Sequence, residues 1–233
     1  WDKVQRIDIV YICSNAAIAQ QNVRRLNVLG AAAASLPTRI TLLPLQFAGA
    51  QNLALNRVNF ISLTPGTSFD LKSSTGTGRE RALILRGLKE LGRTPGLREM
   101  LRVGVKPENW DWRCAEIEKA DADETLLDTF HEHLVADQAL MTELVDLAAL
   151  YADGVEAVPE GTGHRRNRLV AQLRGRLAQV CVSALEPDLV ILDEFQRFHD
   201  LLHGNSEAAE LARAVFHHVG DDGPPARTLL LSA

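Results

Sequence analysis

The stretch Asp188-Leu189-Val190-Ile191-Leu192-Asp193-Glu194-Phe195-Gln196 decides how this chain is read. Four apolar residues run together, two acids follow, and a polar residue comes two positions later. Pro187 precedes the run. An apolar run bounded by proline and charge is expected to be a short strand buried on both faces, as in a parallel sheet. The two acids then fall at the strand's carboxyl end, where open α/β sheets bind ligands. The plain structural alternative is a strand that runs into an acidic turn.

Working outward, residues 165–185 are expected to form a long helix with Leu169, Leu173, Leu177 and Val180 on its apolar side, entering the strand through Pro187. Downstream come a helix over 206–219, capped by Asn205 or Ser206, a turn at 221–225 and a last strand over Arg227–Leu231. At the other end, residues 6–13 are a first strand. Ser14-Asn15 supplies two helix caps, and a helix over 16–29 offers Ile18, Val23, Leu26 and Leu29 for one face, with Gly30 as its stop. Residues 39–43 are expected to be a second strand and 58–63 a third, which ends in the polar turn Thr64-Pro65-Gly66-Thr67-Ser68. Residues 79–151 differ in character. Leucines recur there at helical spacing in 83/85/88/91, 126/127/134 and 140/144/147/150, with Phe130 in the second set, and they predict an all-helical insertion followed by a loop over 155–163. Strands alternating with helices predict an α/β protein with a parallel sheet.

The chain has 233 residues, of which 46% are hydrophobic, ample for a buried core. Its net charge of -5 gives no global field that attracts nucleic acid. Cys13, Cys114 and Cys181 lie far apart without a CxxC pair, which predicts buried thiols in a reduced, cytoplasmic protein. No apolar run reads as a membrane span or a secretory signal.

A buried strand closed by Asp193-Glu194 matches the Walker B pattern of nucleotide hydrolases. In that pattern the first acid holds magnesium, usually through water, and the second polarises the attacking water. The strands end in order in Ser14-Asn15 (with Gln20-Gln21-Asn22 on the next helix), Thr64-Pro65-Gly66-Thr67, Asp193-Glu194-Phe195-Gln196 and Ser232-Ala233. That order resembles motifs Ia, Ib, II and III of the first RecA-like domain of superfamily 2 helicases, of DEAD/DEAH type, and of related DNA translocases. The resemblance covers most of the chain outside the helical insertion. It implies a P-loop NTPase fold in three parts: residues 1–78 and 155–233 as the two halves of the RecA-like sheet, and 79–154 as the insertion. Gln196 stands where the family varies between Asp, His and Gln, and motif III here stops at its first two letters. No G-x-x-x-x-G-K-[ST] occurs. The resemblance therefore implies a phosphate-loop strand before Trp1 and a second RecA-like domain after Ala233, so that this stretch would not hydrolyse ATP by itself.

The resemblance further implies ATP and Mg2+ as ligands, DNA or RNA as the track, and that second RecA-like domain of the parent chain as a partner, with no membrane involved. Asp193 would order the magnesium-bound water and Glu194 would be the general base. Gln196 would link the nucleotide to Ser232. Ser14, Asn15, Gln21, Asn22, Thr64, Pro65, Gly66 and Thr67 would meet phosphates of one nucleic-acid strand. The same residue types also cap helices and make turns, so both uses stay open.

Other features point elsewhere less strongly. Gly76-Thr77-Gly78 has no Lys-Ser/Thr after it and reads as a loop. His199 and His203 have a ligand spacing but no third ligand, and His131 and His133 diverge on a helix. The basic residues 164–168, with Arg174 and Arg176, read first as a solvated helix face, as do Arg24 and Arg25. Two other function classes compete: a different P-loop ATPase, of AAA+ or signalling type, and a binding module without catalysis.

Overall fold

The structure is a computed structural model describing residues 6–27, 32–35, 39–49, 52–71, 74–94, 96–151, 160–198, 203–216 and 225–232. The chain divides into two compact units, one formed by Trp1–Asp70 with Cys181–Ala233 and the other by Leu71–Val180.

The first unit is an α/β structure built on five parallel strands. They are β1 (Ile7–Ile12), β2 (Ala32–Ser35), β3 (Val58–Leu63), β4 (Leu189–Asp193) and β5 (Arg227–Leu231), in the order β2-β3-β1-β4-β5. In the central pairings Ile12 lies opposite Leu63 on one side and Leu192 on the other. The expectation for β4 follows from its composition: Val190, Ile191 and Leu192 are all buried. On one face Tyr11, Cys13, Phe60 and Ile191 pack with Ala19 and Val23 of helix α1 (Ala16–Leu26). The face of α1 is only partly the expected one, since Val23 is buried as its spacing predicts. Ile18 and Leu26 are 44% and 41% exposed, Ala19 and Val23 face the sheet, and Leu29 lies outside the described residues. Ala19 and Val23 are one turn apart, and the small Ala side chain lets the helix axis approach the strands.

The expected strand over 39–43 is absent. Ile40–Leu42 is a 3-10 turn that leads into the short helix Leu43–Gln46. Pro44 has no N–H for a ladder but fits a first helical turn. Residues 40–43 are nonetheless buried, so the apolar run reports burial and not strand. The second strand is instead Ala32–Ser35, whose alanines carry little strand propensity. The turn after β3 is helical over Pro65–Ser68, and the Thr64 N–H donates to Ser68 Oγ at 3.1 Å.

The second unit is helical. It contains α2 (Gly78–Gly87), α3 (Leu97–Arg102), α4 (Pro107–Lys119), α5 (Glu124–Ala136), α6 (Gln138–Ala149) and all but the last turn of α7 (Gly163–Ser183). Helix α8 (Glu207–Phe216) belongs to the first unit. The expected insertion boundaries at 79 and 154 therefore differ from the compact unit, which runs from Leu71 to Val180. A buried ion pair ties α7 to α2 within this unit. Arg174 of α7 donates from Nε and Nη2 to Glu80 Oε1 of α2 at 3.1 and 2.9 Å, both side chains essentially without exposure. Leu169, Val170, Leu173 and Leu177 are fully buried beside it. The Gly76-Thr77-Gly78 loop caps α2: Thr77 Oγ1 accepts from the Glu80 N–H and the Thr77 N–H donates to Glu80 Oε2. A Cβ on Gly76, at φ +57°, would stand 2.2 Å from Arg174 Nε, so only glycine fits this approach. Among the described residues no helix is long and apolar enough to cross a membrane.

Candidate active site

Because the strands are parallel, their carboxyl ends share one edge of the sheet. Leu63, Ile12, Leu192 and Leu230 lie in register across β3, β1, β4 and β5. The segments that follow, Thr64, Cys13-Ser14-Asn15, Asp193-Glu194 and Ser232, therefore line up side by side.

Asp193 is the last residue of β4. On β1, Tyr11 points to the same face as Cys13, and its hydroxyl donates a hydrogen bond to Asp193 Oδ2. Asn22, on α1, donates from Nδ2 to the Tyr11 hydroxyl at 2.8 Å and to Asp193 Oδ2 at 3.4 Å. Three elements thus close a triangle of side chains. Burial first, and then the Asp193 carboxylate, push the Tyr11 phenol well above its ordinary value, so it stays protonated and remains a donor. Asp193 Oδ1 takes no hydrogen bond from the described residues.

Glu194 follows with φ +58°, a left-handed conformation that a side-chain-bearing residue rarely adopts. The twist turns its carboxylate toward β1, where Oε2 accepts from Ser14 Oγ at 2.9 Å. Arg197, on the helical turn Phe195–Phe198, lies 3.3 Å from the same oxygen and is largely exposed. Gln196 is exposed on that turn, and Ser232 is exposed just after β5.

The residues expected at nucleic-acid phosphates divide into two sets. Asn15, Gln21, Gly66 and Thr67 are exposed at this edge or beside it, and Thr64 and Pro65 are half-buried. Asn15 Oδ1 caps α1 through the Ala17 and Ile18 N–H groups. Ser14 and Asn22 instead engage the two acids. A Cβ on Gly66 would meet nothing within 4 Å, so that glycine is not required for space. Tyr11 was not among the residues singled out from sequence. The signal for it was weak: a phenol inside an apolar strand must find a polar partner when buried.

A single carboxylate with one free oxygen suits a hard cation that keeps most of its waters, as Mg2+ does. No cluster of three or more His, Cys, Asp or Glu that could hold a metal occurs among the described residues. Of the histidine pair, His203 is exposed and His199 lies outside the described residues. Much of the basic strip is paired: Arg165 and Arg168 share Glu143, Arg176 pairs with Asp137 and buried Arg174 with Glu80, while Arg166 donates to Asn167 Oδ1. A cavity of about 590 Å³ lies wholly within the second unit, lined by Arg86, Arg98, Asp111 and Cys114 among others. Its cations are paired, Arg86 with Glu124 and Arg98 with Asp111, and burial pushes the Cys114 thiol up.

No protein-family model, curated protein or solved structure matches this chain. The fold itself defines an α/β protein with an all-parallel sheet flanked by helices.

Proposed function

We propose that this chain is the first RecA-like motor domain of an ATP-dependent helicase or translocase that moves on DNA or RNA. One observation supports the reading above all. The acid pair Asp193-Glu194 closes an inner strand, and the ends of β1, β3 and β5 stand beside it at the same edge. In this role Asp193 would hold Mg2+ through water, and the ion would offset charge on the phosphates. Glu194 takes the proton of the attacking water, and Ser14 and Arg197 fix its carboxylate. Gln196 and Ser232 lie at the nucleotide side of the edge. Asn15 and Gln21 at α1, with Thr64, Pro65, Gly66 and Thr67 after β3, face the nucleic-acid backbone, where neutral donors meet phosphate. Bound ATP would supply the phosphoryl group.

The test is ATP turnover by the protein that contains this chain, with and without duplex DNA. Turnover is expected to rise with DNA and to fall by roughly 10²–10⁴-fold in Glu194→Gln, the range for a lost general base. Turnover indifferent to nucleic acid, or unchanged in Glu194→Gln, overturns the reading.

A further inference from the structure

We infer that Tyr11 and Asn22 are positioning residues for Asp193, and that the Asn22 amide serves the carboxylate and not a nucleic-acid phosphate. The inference rests on the reading of Asp193 as the cation-holding acid. Three observations carry it. Tyr11 is 2% exposed, so its hydroxyl has no bulk water to fall back on. That hydroxyl gives its one proton to Asp193 Oδ2 and accepts from Asn22 Nδ2, which uses both of its hydrogen-bonding roles within the triangle. Asn22 reaches the same Oδ2 directly, so both donors converge on one oxygen, and none of the described residues donates to the other.

The two donors come from elements fixed by packing. Tyr11 and Cys13 share the sheet face against Ala19 and Val23, and Val23 adjoins Asn22 on α1. The carboxylate is thereby locked in rotation by the same contacts that seat the helix. Partners of a ligating carboxylate are worth about 10–100-fold in metal affinity when removed.

The experiment uses Mn2+ alone as the probe, with free Mn2+ read by electron paramagnetic resonance on this chain and on three variants. Asp193→Asn is expected to lose the site. Tyr11→Phe, which removes only the hydroxyl, and Asn22→Ala are each expected to weaken Mn2+ binding about tenfold. The Asn22 side-chain amide resonance should shift in Asp193→Asn, and in the unaltered protein it should broaden early in a Mn2+ titration. If Tyr11→Phe does not fold, Asn22→Ala and this resonance decide the matter. Loss of Mn2+ in Asp193→Asn with full affinity in both other variants overturns the inference alone. Mn2+ affinity indifferent to Asp193→Asn overturns the assignment of Asp193 and the inference with it.

Discussion

Asp8 sits at the opposite end of β1 from the acid pair and shows how one residue ties stability to pH. It is fully buried, receives Arg6 at 2.7 Å and Asn59 at 2.7 Å, and its N–H donates to Asp188 Oδ2. Burial raises its carboxyl above the ordinary range, and Asn59 and Arg6 draw it only part of the way back. A folded value above the unfolded one means the folded state holds the proton more tightly. The associated stability is fully present below the unfolded value and is lost as pH rises through the folded value. Relative to Asp8→Asn, the unaltered protein should therefore lose stability between acid and neutral pH in denaturant titrations; a gain would sink the argument. Gly96 makes a second case. Its φ is +79°, and a Cβ there would lie 1.6 Å from the Tyr151 carbonyl oxygen. Gly96→Ala should cost more than about 1 kcal/mol, read from the denaturation midpoint. Residues were legible in sequence to the extent that their partners were near in the chain. Asp193 and Glu194 announce themselves by adjacency, whereas Tyr11 and its partner Asp193 are 182 positions apart.

At the scale of elements, helices with sustained periodicity read correctly. Leu127, Phe130 and Leu134 on α5, and Leu140, Leu144 and Leu147 on α6, are buried as their spacing requires, whereas Leu150, expected with them, is 49% exposed past the end of α6. Apart from the face of α1, the misreadings fell on short pieces: four alanine-rich residues that form β2, and an apolar run before Pro44 that turns helical. Periodicity has too few residues there to act on, and pairing with neighbours decides. What joins α7 to α2 was not legible either, because no pattern predicts that Arg174 turns inward. The buried pair yields a sharp expectation. Glu80→Ala strands a guanidinium without its carboxylate and should destabilise the helical unit by about 3–5 kcal/mol. Glu80→Leu combined with Arg174→Met should recover most of that loss in thermal melts, since apolar replacement removes both charges together. Equal damage from the single and double changes would show that the pair itself is not what holds the helices.

At the scale of the whole molecule, the sheet is covered unevenly. All five residues of β5 are exposed, with Leu229, Leu230 and Leu231 at 46%, 50% and 38%. Three leucines in a row are the composition of an inner strand of a parallel sheet, yet here, among the described residues, they lie at an edge of the sheet with no strand beyond them. Such an edge recruits other chains. This chain in isolation should self-associate with rising concentration in sedimentation experiments, and Leu230→Lys should suppress it. Concentration-independent monomers would refute the expectation.

The pairing scheme also has a consequence for how the protein is born. β1 finds β3 within the first 63 residues, but its other neighbour, β4, begins only at residue 189. Ser14 and Glu194, which must meet, are separated by 180 positions. At about 5–20 residues per second a ribosome needs roughly 10–35 s to cover that distance. Throughout that interval the nascent polypeptide carries half a sheet with an unclaimed apolar flank, while an entire helical body is synthesised before the missing half arrives.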